Sequence, residues 1–385
     1  MTRIKSLPWT RVAEITGLDR IGVPVFTAIR PESLGLSTTQ GKGLTRERAH
    51  LGARMEATEH AAAEAAARHL PVFTTGDVRR RQGRFLDLGR CLRARAGIGL
   101  APEDIHWVAG HDLWQGLCVH VPLELVTFDT TLPDARRTAY FRQTTDGLAA
   151  ADCRDFAICH ALLELIDRDA LALASLSDPE RRTARAVDPA AFRSEAMATL
   201  LHRLEAADVA LKLFDITTDI GIPAYEALIC DRIYADASQV PLRAISGGSG
   251  AHPVAEKAAV AAVLEAIQTR LTLISGARDD HPATDYARPA PRQLMAQMFA
   301  PAIRHPPEGF GHALPPASEH TADLLNWLRD RLNVARMSDV LVVDLPRVLA
   351  EVFAVRVIVP ELLPPQEDEG ARMGARGFVR MMGGW

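Results

Sequence analysis

Three long stretches carry helical patterns, and shorter apolar runs lie between them. From residue 46 to 69 the chain is alanine-rich and of high helix propensity; Thr45 is placed to cap it, and Glu47 suits its positive first turn. A second helix is predicted over about 152–175, in "DCRDFAICHALLELIDRDALALAS". It is apolar almost all round and therefore buried, so Glu164, Asp167, Arg168 and Asp169 on it need partners. A third, over 253–275, follows the glycine cluster of "ISGGSGAHP" and ends at Gly276.

Between the helices, residues 18–36 read as extended structure broken by turns, and "VPLELVTFD" (121–129) reads as a strand. "DVALKLFDITTDIGIPAYEALICDR" predicts two strands joined by a turn around Gly221 and Pro223. "DVLVVDL" and "AVRVIVPEL" are buried strands in pattern, residues 281–317 are rich in Pro and His without a period and read as a loop or lid, and the tail from Gln366 is polar and glycine-rich. The expectation is one domain with lobes over 1–365, followed by the tail 366–385.

The chain has 385 residues, 48% hydrophobic and 24% charged, with a formal net charge of -4. That balance suits a globular protein and implies no nucleic-acid partner. The N-terminus lacks the apolar core of a signal peptide, and no run reaches the ~20 uninterrupted apolar residues of a membrane helix, so the reading is cytoplasmic with no membrane partner. Five cysteines without a CxxC pair suggest buried free thiols rather than disulfides or a zinc ribbon.

Candidate chemistry begins at "TTQGKGLTRERAHLGARMEATEH" (38–60). It is not a Walker loop: five residues separate Gly35 from Gly41 and Lys42, and Gly43 stands where Ser or Thr is required. A different pattern recurs on the helices. "MEATEH", "LELIDR" and "LEAIQT" each hold a Glu and, three positions on, Glu, Asp or Gln. Positions three apart share a helix face, so each pair presents two oxygen-bearing groups to one point. One such pair is an ordinary solvated face; three, flanked by Ala, Leu and Ile, suggest a shared site of the hard oxygens that Mg²⁺ takes beside nucleotide phosphates.

The stretches "GLDRIGVPVFTAIRP", "STTQGKG", "GARMEATEH", "TTDGLAAA", "HALLELIDRDALAL" and "LEAIQTRLTLISGARDD" resemble, in order, the YcaO family over most of residues 17–280, and "VLVVDL" and "VRVIVPEL" extend the resemblance to about residue 361. It implies an α/β fold, built as α+β lobes with mixed sheets, with an ATP site in a cleft between the long helices. It also implies an ATP- and Mg²⁺-dependent enzyme that activates a backbone amide of a precursor peptide, forming azolines from Cys, Ser or Thr, or thioamides when a sulfur donor is used. Glu56 and Glu59 would be the first pair of metal and phosphate ligands, Glu164 and Asp167 the second, and Glu265 with Gln268 the third. Arg168 would face phosphate, Lys42 would line the nucleotide cleft, and Arg278 would be a further phosphate contact. No protein nucleophile is required, since phosphoryl transfer is mainly positioning and charge neutralisation.

The chain departs from the family pattern at Asp146, where Asn is usual, at Asp167, where Glu is usual, and at Phe156, where an acid is usual. Phe156 cannot ligate a metal, so unless Asp155 or Asp152 substitutes for it one ion is lost, and a non-catalytic scaffold that binds precursor peptide or a partner is an alternative. The tail lacks the proline-alternating end of azoline-forming members. It is more similar to members that work with a TfuA-like sulfur-delivery partner and install thioamides; azoline-forming cyclodehydration is the other reading. A leader-peptide-binding protein and a homodimer are further partners the family suggests. His60, His160 and His252 are read as packed or capping residues, and "RRTARAVDPAAFR" as a solvated surface that is also able to receive an acidic leader.

Overall fold

The alanine-rich segment forms one helix, α1 (Arg46–His69), in the computed structural model, which describes residues 7–95, 101–131, 140–141, 143–237, 239–278, 280, 283–300, 320–365 and 372–383. The Thr45 hydroxyl accepts from the Arg48 N–H at 3.3 Å, Glu47 lies in the first turn, and Arg68 and His69 lie in the last. The small residues also set a packing distance. Gly41, on strand β3 (Thr38–Lys42), runs so close beneath α1 that a Cβ there would stand 2.1 Å from the Ala49 carbonyl oxygen and from the Ala53 nitrogen. Ala49, Ala53 and Ala57 are buried in that contact.

Helix α6 (Ala255–Ser275) repeats the arrangement on β12 (Ile245–Ala251), which is the glycine cluster itself. A Cβ on Gly250 would meet the Ala258 carbonyl oxygen at 2.7 Å and the Ala262 nitrogen at 3.0 Å. The glycines are therefore strand residues that admit a helix backbone, rather than a lead-in turn. Gly276 ends α6 at φ +59°, and its N–H bonds to the Thr272 carbonyl. By length and composition α6 would cross a membrane, but more than half of its apolar window is buried against β12 and β11 (Ala224–Asp231).

The third long helix, α3 (Arg154–Ser175), packs on β8 (Leu148–Ala151) and β14 (Phe353–Ile358), with α9 (Thr321–Val334) beside it. Its Ile158, Leu162 and Ile166 join Val342, Val355 and Val357 in one core, where the loss of water contact supplies the stabilisation.

Among the described residues, three sheets back these helices. β1 (Arg11–Glu14), β2 (Val25–Ile29) and β3 form an antiparallel meander under α1. β9 (Ala186–Val187), β10 (Val209–Asp215), β11 and β12 form a second antiparallel sheet in the order β12-β11-β10-β9. The expected pair of strands is β10 and β11, with Gly221 at φ +73° in the connection. The third sheet runs β5-β7-β6-β13-β14-β8, from β5 (Arg84–Phe85), β6 (His106–Asp112), β7 (Cys118–Pro122) and β13 (Leu341–Asp344), and β4 (Val72–Thr74) pairs with β6. β5 and β7 are parallel and the other pairs of this sheet antiparallel, so the fold is of the expected mixed α/β kind.

Several expectations differ from the structure. The strand expected over 121–129 stops at Pro122 and turns into a short 3₁₀ helix at Leu123–Leu125, because proline supplies no ladder N–H. Within the loop expected over 281–317, α7 (Ala283–Ala287) and α8 (Arg292–Phe299) form, and Met298 is buried; residues 281–282 and 301–317 lie outside the described residues. The expected polar tail contains α10 (Gly374–Met381), which docks through Arg376 onto Asp169 and Asp219; residues 366–371 and 384–385 lie outside the described residues. All five thiols are free, as expected, but Cys118 and Cys153 are exposed.

Candidate functional site

Each long helix turns one glutamate back onto the strand before it or, for α3, onto the residue that leads into that strand. Glu56 accepts from the Gln40 N–H at 2.7 Å, sixteen residues upstream. Glu265 accepts from the Ser249 N–H at 3.1 Å, also sixteen upstream, and Glu164 from the Gly147 N–H at 3.1 Å, seventeen upstream. The close helix–strand contact over Gly41 and Gly250 makes this reach possible in two of the three units. Glu59, one turn beyond Glu56, crosses to another unit and accepts from the Ala150 N–H of β8 at 2.9 Å.

The acids of the three units are buried within electrostatic reach of one another. Glu59 lies in the field of both Glu56 and Glu164, and burial together with those two charges holds its carboxyl well above the usual range. Burial also pushes Glu164 up to about 8, with Arg168 opposing and Asp146 adding to the shift. Glu56 is raised by burial, against the Gln40 N–H, Lys42 and Arg278. Asp167 is raised by burial, whereas Glu265 lies below its ordinary value: burial works against its charge, but Lys42 and Arg168 outweigh it. Desolvation thus raises Glu56, Glu59, Glu164 and Asp167, while Glu265 stays below its ordinary value.

Arg168 sits among these acids, 3.3 Å from Glu265 and 3.8 Å from Asp146, and Glu265 in particular raises its affinity for a proton. Lys42, at the end of β3, acts on Glu56, Asp167 and Glu265. Arg278 also acts on Glu56, while its guanidinium pairs with Asp280. Gln268 lies one turn beyond Glu265, and its carbonyl accepts from the Thr272 hydroxyl at 2.9 Å. Phe156 is 48% exposed and tilts against His160; Asp152 is exposed, and Asp155 is 3.8 Å from Arg154. His60 is buried edge-on to Phe128 and driven down to about 3, mainly by burial.

Sequence reasoning passed over Ser249, whose hydroxyl donates to Asp167 at 2.8 Å while its N–H holds Glu265, so that one residue ties two units together. Its position inside the glycine cluster was the available signal. It also passed over Arg93 and Arg356, both buried behind Asp146. Arg356 is the single cation of the apolar run "VRVIV", which marks it as a buried charge in need of partners; it donates to the carbonyls of Asp146 at 2.7 Å and Thr144 at 2.9 Å.

The donor set fits a hard divalent cation. Five carboxylates line the cleft, and Asp167 Oδ1 is buried with no hydrogen-bond partner among the described residues. Among those residues no group of three or more acidic, His or Cys side chains is drawn together closely enough to hold a metal ion, and each of the five carboxylates accepts from a donor of its own.

A family profile described as an ATP- and Mg²⁺-binding YcaO cyclodehydratase matches residues 40–363. The chain belongs to the YcaO family. Among YcaO relatives, a protein of Rhizobium leguminosarum bv. trifolii, known as an uncharacterised protein in the tfuA 3′ region, is 36% identical over 380 residues, 97% of this chain and 88% of that one. A protein of Methanothermobacter thermautotrophicus is 33% identical over 358 residues, 92% of this chain and 89% of that one. The structure of YcaO from Methanopyrus kandleri bound with AMPPCP and Mg²⁺ has a TM-score of 0.72 at 23% identity, covering 95% of this chain and 90% of that one. A heterocyclase in complex with substrate and cofactor has a TM-score of 0.71 at 18% identity, covering 93% of this chain and half of the larger protein. At these identities the two structures establish the YcaO fold.

Proposed function

We propose that this YcaO protein uses ATP and Mg²⁺ to activate a backbone amide of a ribosomally made precursor peptide and that the product is a thioamide, with sulfur supplied through a TfuA-like partner in the cytoplasm. The observation that carries the reading is the buried cleft where Arg168 and Lys42 stand among Glu56, Glu59, Glu164, Asp167 and Glu265. The relative whose gene lies in the tfuA 3′ region supports the choice of partner. Mg²⁺ held by these carboxylates would supply the charge that neutralises the triphosphate. Lys42 and Arg168 would bear on the same phosphates, with Gln268 and Arg278 as further contacts. The strand amides that hold Glu56, Glu164 and Glu265 fix the directions of those carboxylates before the nucleotide enters. The whole matched span then acts as one catalytic unit.

The family description favours one other reading, azoline formation, in which a Cys, Ser or Thr side chain of the peptide attacks instead of sulfide. Mass spectrometry of a precursor peptide incubated with the protein, ATP, Mg²⁺, sulfide and the TfuA-like partner separates the two. Exchange of oxygen for sulfur supports thioamidation and loss of water supports azoline formation. Unmodified peptide with well-folded protein, equal in wild type and Glu56→Gln, would leave only a scaffold that binds peptide.

A further inference from the structure

The face of α3 that carries Glu164 and Asp167 continues toward the start of the helix through His160 and Phe156, since positions 156, 160, 164 and 167 fall on one stripe. Phe156 stands two turns before Glu164, about 12 Å along the axis. Both outer residues reach solvent: Phe156 is 48% exposed, and the His160 ring tilts against it with centroids 6.1 Å apart. The protein packed around the His160 ring, and then Lys42, disfavour its protonated form, and His160 acts in the same way on His252. His252 follows β12 directly and is fixed twice: its N–H donates to the Pro223 carbonyl at 3.0 Å, and its Nδ1 accepts from the Val254 N–H at 2.9 Å. A backbone N–H can only donate, so the ring proton of His252 is on Nε2. Burial, then Lys257 and His160, hold this imidazole down to about 4, so it is neutral at pH 7. Among the described residues, neither the ring of His160 nor Nε2 of His252 has a hydrogen-bond partner.

The geometry points to a seat for the precursor peptide formed by Phe156, His160 and His252, which takes an uncharged aromatic or aliphatic side chain beside the amide to be activated; the assignment rests on the function proposed above, in that the second substrate is a peptide. The Phe156 and His160 rings offer apolar faces to that side chain, and the Nε2–H of His252 donates to a backbone carbonyl of the peptide. A charged side chain would lose hydration against the rings and gain no partner of its own from them. An acid at position 156, as the family pattern leads one to expect, would put a carboxylate on this face; Phe156 leaves it without charge.

A nucleobase also stacks on aromatic rings, but the two substrates differ in what else can hold them. ATP is matched through its phosphates and Mg²⁺ to the acids, Lys42 and Arg168. A neutral peptide amide gains little from those charges, yet it has to lie beside the same phosphates for its oxygen to be phosphorylated. Rings and a fixed neutral donor, on the helix face that continues into Glu164 and Asp167 and within electrostatic reach of Lys42, supply that hold.

The test measures binding without turnover, by NMR titration of the full chain loaded with AMPPCP and Mg²⁺. The probes are two capped tripeptides that differ only at the central residue, acetyl-Gly-Phe-Gly amide and acetyl-Gly-Asp-Gly amide. The phenylalanine peptide is expected to bind about fivefold or more tightly than the aspartate peptide. Phe156→Ala, at a half-exposed position where the variant is expected to fold, should abolish that preference while AMPPCP affinity stays within about twofold, and Phe156→Leu should retain part of it. Spectra of ¹⁵N-labelled histidine are expected to show His252 as the Nε2–H tautomer, with that signal shifting when the phenylalanine peptide is added. Equal affinity for the two peptides in the wild type, or a preference that survives Phe156→Ala, would overturn the inference. Weaker AMPPCP binding in Phe156→Ala with peptide binding unchanged would give the ring to the nucleobase and overturn it too. A precursor peptide that stays unmodified by mass spectrometry, while the preference set by Phe156 persists, would count against the proposed reaction and not against the seat.

Discussion

Loading the cleft should release protons. Glu164 is held at about 8, so at pH 7 about nine-tenths of these carboxyls carry a proton, and a cation cannot bind a carboxyl without displacing it. Binding of preformed Mg·ATP at pH 7 should therefore release about one proton from Glu164, and Glu59, also raised well above the usual range, acts in the same direction. Calorimetry in two buffers of different ionisation enthalpy measures the number directly. Glu164→Gln should lower it by about one, and affinity in the wild type should rise with pH between about 6 and 8 and then level off. The unloaded protein has the opposite dependence. Between the ordinary value of 4.5 and about 8 the folded state binds a proton at Glu164 that the unfolded chain does not, so stability falls as pH rises through that window. Equal apparent enthalpies in the two buffers, with binding intact, would mean that the carboxyls are already ionised and that the argument from desolvation is wrong.

Other perturbations separate fold from site. Gly41→Ala puts a methyl group 2.1 Å from two backbone atoms of α1 and should cost about 3 kcal/mol or more in thermal or denaturant unfolding, whereas Gly17→Ala, with nothing within 4 Å, should be nearly neutral. Arg376→Ala leaves the fully buried Asp169 without its ion-pair partner and should cost about 3–5 kcal/mol; Asp169→Asn in the same chain should recover part of it, and no recovery would argue against the pairing. Ser249→Ala strips the hydroxyl from Asp167 and should cost about 1–3 kcal/mol while weakening Mg²⁺-dependent ATP binding at neutral pH; unchanged affinity would remove Ser249 from the site.

The three helices were legible in the sequence because alanine content, the Thr45 cap and the Gly276 terminator are local signals, and α1 begins and ends where they place it. The acidic pairs were legible for the same reason, since spacing on a helix fixes the face they share. What holds those acids was not. Backbone amides sixteen or seventeen residues upstream leave no mark in composition, and Ser249 stands between two glycines, Gly248 and Gly250, whose close approach to the backbone of α6 is a tertiary contact with no local signal. The C-terminal helix was missed because its hold on the fold is long-range: Asp169 reads as a buried acid in need of a partner, but nothing local shows that Arg376, which also pairs with Asp219, supplies it, or that Arg380 reaches Ser177.

The units built on β3 and β12 correspond position for position. Gly41 matches Gly250, Ala49 matches Ala258, Ala53 matches Ala262 and Glu56 matches Glu265, at one constant offset along the chain. Such agreement is what an ancient internal duplication would leave, with α3 supplying the third group of site residues. The copies differ one turn on, where Glu59 corresponds to Gln268, a carboxylate against its uncharged amide. Lys42 likewise corresponds to Ala251, so the two units carry unlike charges and their equivalence is broken along the line that joins them.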